Sequence, residues 1–146
     1  MGASGWDYVV PYNPDLGQVL AALRKRVFDN QEYYLLPDDD GWPTTMDELW
    51  ADEEVQYSGT HSILDIATVI GPDDPDGYGT LRPLRRDELL RYFGTVEPSR
   101  ATFDHAYARR DDDALITHGQ RWSGYSTTLH DRRTPTEIAI WGFSGD

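Results

Sequence analysis

Hydrophobic and polar positions along the chain change period several times, and each change predicts an element. Trp6 to Tyr12 is aromatic and β-branched, the composition of a first strand, and Pro11 marks it as an edge strand or as its end. Asn13-Pro14-Asp15 then reads as a helix start. Leu16, Val19, Leu20, Leu23 and Val27 recur at helical spacing, and Arg24, Lys25 and Arg26 crowd the C-terminal end, which predicts a helix over 14–29. Thr45-Met46-Asp47-Glu48 fits a capping box opening a short acidic helix through Glu54, with Leu49 and Trp50 inward. His61 to Ile70 is apolar and β-branched, as in a buried strand, and the Asp-, Pro- and Gly-rich stretch 71–79 reads as an exposed loop. A short strand over 80–84, a helix over 87–93 stopped by Gly94, and a helix over 98–110 follow.

The last third predicts a hairpin, 122–130 against 136–143, with its turn at 131–135. Ile138 and Ile140 point to one side of the second strand, and Ala139, Trp141 and Phe143 to the other. Apolar residues on both faces place that strand centrally or put one face against a pocket. The expected fold is α+β, an antiparallel sheet with three to four helices packed on it. No repeat or linker divides the 146 residues, so one domain, 1–146, is expected.

Composition changes this picture in three ways. The hydrophobic fraction is 38% and the mean hydropathy −0.64, yet five Trp, nine Tyr and four Phe supply the large buried areas that a disordered chain lacks. No cysteine is present, which excludes disulfides, thiolate nucleophiles and zinc–thiolate sites. No apolar run is long enough for a transmembrane helix, and the N-terminus lacks signal-peptide features, so a cytoplasmic protein without membrane binding is expected. Charge is the most informative quantity: 26 acidic against 13 basic side chains give −13. Such a domain repels phosphate backbones and attracts basic partners, so no nucleic acid and a basic protein partner are expected.

Candidate chemistry is sparse. His61, flanked by Thr60 and Ser62, shares a face with Asp65 on either a helix or a strand, and a histidine oriented by a carboxylate beside hydroxyls is the skeleton of a general-base site. The same residues also suit a polar turn at a strand entrance. Asp73-Asp74-Pro75-Asp76-Gly77 carries only part of a calcium-loop pattern and lacks its closing Glu, so no metal and no cofactor are assigned. Two rings, Trp141 and Phe143, lie almost at the end of the sequence, which predicts a docked terminus beside Ser144.

Trp6-Asp7-Tyr8-Val9-Val10, Asp47-Glu48-Leu49-Trp50, the stretch from Ser58 to Asp65 and the closing Trp-Gly-Phe-Ser-Gly-Asp give the chain a pattern that resembles small acidic proteins of high-GC actinobacteria. That resemblance implies no particular activity and transfers no catalytic residue. Three functional readings stand. The first is a non-enzymatic, immunity- or antitoxin-like protein that neutralises a basic partner through Asp38, Asp39, Asp40, Trp42, Asp47, Trp50, Asp52, Glu53 and Glu54. The second is a small hydrolase or transferase using His61 and Asp65. The third is a small-molecule binder with the aromatic hairpin face as its pocket wall.

Overall fold

The computed structural model describes residues 4–37, 39, 41–117 and 119–145. Five strands form one sheet in the order β1-β5-β4-β3-β2, with β1 at Gly5–Pro11, β2 at Thr68–Val69, β3 at Thr80–Pro83, β4 at Gly124–Asp131 and β5 at Thr134–Phe143. The sheet is mixed, not antiparallel throughout as expected. β5 runs antiparallel to β1 and β4, while β2, β3 and β4 are mutually parallel. Parallel pairing needs a crossover, and the two helices between β3 and β4 provide it. These are α4 (Arg86–Phe93) and α5 (Arg100–Ala108).

Helices lie on both faces, and the described residues contain five α-helices, one more than the upper expectation. On one face α1 (Leu16–Asp29) packs Val19, Leu20, Leu23 and Val27 against Trp6, Val10, Leu81, Ile138 and Ile140. The other face joins Ala139, Trp141 and Phe143 to Phe103 and Leu115. The alternation read in 138–143 therefore divides β5 between two cores, as a strand flanked by β1 and β4 requires.

Side-chain hydrogen bonds set several boundaries that hydrophobic spacing could not. Asp15, not Asn13, caps α1, accepting the Gln18 N–H at 3.1 Å. The single acidic helix expected over 45–54 is two, α2 (Met46–Trp50) and α3 (Glu53–Ser58), because Asp52 accepts the Glu54 and Val55 N–H groups and starts the second. The strand expected over 61–70 is mostly absent. Ser62 instead caps a 3₁₀ turn at Ile63–Asp65, Arg24 donates to the Leu64 and Ile66 carbonyls, and only Thr68–Val69 pairs. No helix among the described residues is long and apolar enough to cross a membrane.

Candidate functional site

The acidic segment is anchored from within and open outside. Tyr33 is buried between Phe28, ring centroids 6.0 Å apart, and Trp42 at 5.4 Å. Trp42 and Trp50, expected as partner-facing rings, are half-buried against the core, and Trp50 also meets Trp122. The apolar side chains that reach solvent here are Tyr34, Leu36 and Tyr57, at 53%, 76% and 80% exposure. None of the three is among the candidates read from the sequence. A helical wheel would have flagged Tyr57, which lies off the apolar side of a two-turn helix.

Asp47 sits in the first turn of α2, and Glu53 and Glu54 in that of α3. Glu48 accepts the Thr44 N–H at 2.8 Å and its hydroxyl, which hold its carboxyl below the ordinary carboxylate value. Among the described residues none of Asp47, Glu48, Asp52, Glu53 or Glu54 enters an ion pair. Two cavities flank Leu36, one of about 160 Å³ against Trp42 and Glu48 and one of about 200 Å³ against Tyr34 and Glu54, and Asp52 lines both. Asp39 is exposed, while Asp38 and Asp40 lie outside the described residues.

The imbalance of charge is confined to one stretch of chain. Between Arg26 and Arg82 stand fourteen carboxylates and no Lys or Arg; the remaining twelve carboxylates share the chain with all thirteen basic side chains. A single net figure of −13 conceals this segregation.

His61 lies where the acidic helices end. Gly59 closes α3 at φ +83°, and a Cβ there would sit 2.6 Å from an oxygen of Asp65, so the turn needs glycine. Asp65 is 3% exposed, and its Oδ1 accepts the Thr60 N–H at 2.7 Å and the Thr60 hydroxyl at 2.8 Å. Its Oδ2 is buried and accepts no hydrogen bond among the described residues. Burial pushes this carboxyl up, against the Thr60 hydrogen bonds and the charges of His61 and Arg24, which pull it down. The hydrogen bonds of Asp65 thus go to Thr60, and His61 acts on it through its charge.

The imidazole turns the other way. His61 has a left-handed backbone, φ +53°, its Nδ1 is 2.6 Å from the Ser4 hydroxyl, and Tyr34 meets its ring edge-on at 5.3 Å. Ser4 Oγ lies a further 2.8 Å from Ser144 Oγ. Both serines are fixed where β1 and β5 end together: Ser144 N–H donates to the Ser4 carbonyl at 2.9 Å, and Gly145 N–H to the Ser58 carbonyl at 3.1 Å. Residues 143–145 are thereby tied to Ser4, Ser58 and Ser123. Ser4, 140 positions from its partner, carried no local signal in the sequence. His105 is exposed on α5 and His130 half-buried on β4, both apart from this cluster, and His118 lies outside the described residues.

A third polar cluster is internally satisfied. Arg82, 4% exposed, donates to Asp76 at 2.5 Å and with two nitrogens to Glu88 at 2.7 and 3.0 Å, while lying 5.3 Å from the Tyr125 ring centroid. Tyr125 donates to the second oxygen of Asp76 at 2.8 Å. Asp76, read as part of an exposed loop, is in fact tied into the sheet. Compared with protein-family models, curated proteins and solved structures, the chain matches none.

Proposed function

We propose that the protein is an acidic, immunity- or antitoxin-like interaction module that captures a basic protein partner on the surface formed by α2, α3 and the residues around Tyr34 and Leu36. One observation carries this reading: among the described residues the five carboxylates Asp47, Glu48, Asp52, Glu53 and Glu54 enter no ion pair, and the same stretch of chain exposes three apolar side chains, Tyr34, Leu36 and Tyr57. A basic partner would relieve the mutual repulsion of these acids, and their summed field would speed its approach. Apolar side chains at the centre of a charged surface supply the short-range contacts from which most binding energy comes.

Capture from native-source lysate at low and moderate salt tests the proposal, using three baits beside the wild type. One carries Asp47→Asn, Glu53→Gln and Glu54→Gln; another carries Leu36→Ser and Tyr57→Ser. The third neutralises Asp111, Asp112 and Asp113, removing as many charges at a distant place. A partner of net positive charge, lost with the first two and kept by the third, is expected. If all three charge losses at either place weaken capture equally, the attraction belongs to net charge and not to this surface.

A further inference from the structure

We propose that Ser4, His61 and Ser144 form a nucleophile–base site for acyl transfer from small uncharged or cationic esters, a chemistry separate from partner capture. A serine hydroxyl is a weak nucleophile until a base within hydrogen-bond reach takes its proton, and the base must be oriented by its surroundings. Ser4 Oγ and His61 Nδ1 are 2.6 Å apart, inside that reach. With the imidazole proton on Nε2, Nδ1 accepts the Ser4 hydroxyl, and the Ser144 hydroxyl lies 2.8 Å from Ser4 Oγ. Ser144 Oγ also donates to the Ser4 carbonyl at 3.1 Å, so it holds Ser4 in place through both its side chain and its main chain.

The constellation is held from three directions. Ser4 and Ser144 sit beside the Gly5–Phe143 pair that begins the β1–β5 ladder. His61 is fixed between Thr60 and Ser62, both fully buried and hydrogen-bonded to each other at 2.6 Å. Asp65 acts as a positioning residue, since it holds Thr60 through two hydrogen bonds. A non-glycine residue kept at φ +53° stores strain that its surroundings must offset, and such strain concentrates at working sites. Ser4 itself is exposed, so a substrate can reach it.

Substrate class follows from the neighbours. Tyr34, which meets the His61 ring, also lines the 200 Å³ cavity with Gly59, Val55 and the carboxylates Asp52 and Glu54. That volume suits a small acyl or alcohol moiety, and its carboxylates repel anionic substrates. In the reaction Ser4 Oγ bonds to the carbonyl carbon while its proton moves to His61 Nδ1. The ester C–O bond breaks as the leaving alcohol takes that proton. Water then attacks acyl-Ser4, gives a proton through His61, and the acid leaves as the Ser4 hydroxyl is restored.

The test uses the full chain with p-nitrophenyl acetate and, separately, a fluorophosphonate. A burst of about one nitrophenolate per protein and a mass shift confined to the Ser4 peptide are expected. Ser4→Ala, at an exposed position, should abolish both. His61→Asn, whose side chain tolerates a left-handed backbone, should slow labelling about 100-fold or more with an unchanged melting temperature. Ser144→Ala should slow it to a smaller extent. No labelling of the folded wild type, labelling that survives Ser4→Ala, or a rate untouched by His61→Asn overturns the proposal. Because Asp47 and Glu53 line neither the 200 Å³ cavity nor the serine–histidine cluster, a bait with Asp47→Asn and Glu53→Gln alone can lose partner capture while labelling persists, so the two proposals fail independently.

Discussion

Two buried charges differ in how they are held, and each has a measurable consequence at the residue scale. Arg82 is neutralised by Asp76 and Glu88, and its removal would strand two carboxylates in a partly dry site. Breaking a buried pair from one side costs about 3 to 5 kcal/mol, and the partial exposure of both acids points to the lower end. Arg82→Met is therefore expected to lower stability by about 3 kcal/mol, read from the urea midpoint, with part regained on adding Glu88→Gln. Asp65 is the opposite case, since burial pushes its carboxyl up. Between the unfolded value and this raised folded value the native state binds more protons, so that contribution to stability is present at low pH and lost as pH rises. Each tenfold gain in proton affinity corresponds to about 1.4 kcal/mol. The stability of the wild type relative to Asp65→Asn is expected to fall from pH 4 to pH 7, and a flat difference would show that the carboxyl is not perturbed. Neither partnership was legible in the sequence: Arg82 lies six positions from each of its acids, and spacing pairs Asp65 with His61 although its acceptor serves Thr60.

Among elements, those with strong local periodicity were readable and those fixed by side-chain hydrogen bonds or distant pairing were not. α1 shows its stripe from Leu16 to Val27, and the β4–β5 hairpin shows its alternation. The Ile63–Asp65 turn is disguised as a strand because its β-branched residues are buried for packing, while Ser62 and Thr60 dictate the backbone. Parallel pairing of β3 with β4 leaves no local mark, since the partners are joined through α4 and α5. The hairpin turn offers a prediction of its own. Arg132 and Arg133 make the two-residue connection at φ +49° and +71°, a geometry that favours Asn-Gly and costs other residues about 1 to 2 kcal/mol each. Arg133 pairs with Glu97 only at the exposed surface, where such contacts contribute little. Arg132→Asn with Arg133→Gly should raise stability by about 1 to 2 kcal/mol in urea unfolding.

At the scale of the whole molecule, segregated charge dominates. Fourteen carboxylates between Arg26 and Arg82 repel one another without a neighbouring Lys or Arg in the same stretch, and salt screens exposed charges beyond about 10 Å at 0.1 M. The melting temperature is expected to rise by a few degrees between 20 and 500 mM NaCl, about 1 kcal/mol for a domain of this size; a fall would mean that exposed ion pairs outweigh the repulsion. Acidity itself was plain in the sequence, and so was the docked Trp141–Phe143 end. The approach of Ser4 to Ser144 was not, because only the completed sheet brings them together. That closure also bears on how the protein is made. β5 is synthesised last, yet it lies between β1 and β4, so the sheet stays open on the ribosome until the final strand emerges. Throughout that interval β1 is an unpaired edge capable of joining neighbouring nascent chains, and the acidic stretch, translated earlier, gives every chain on a polysome the same repelling charge.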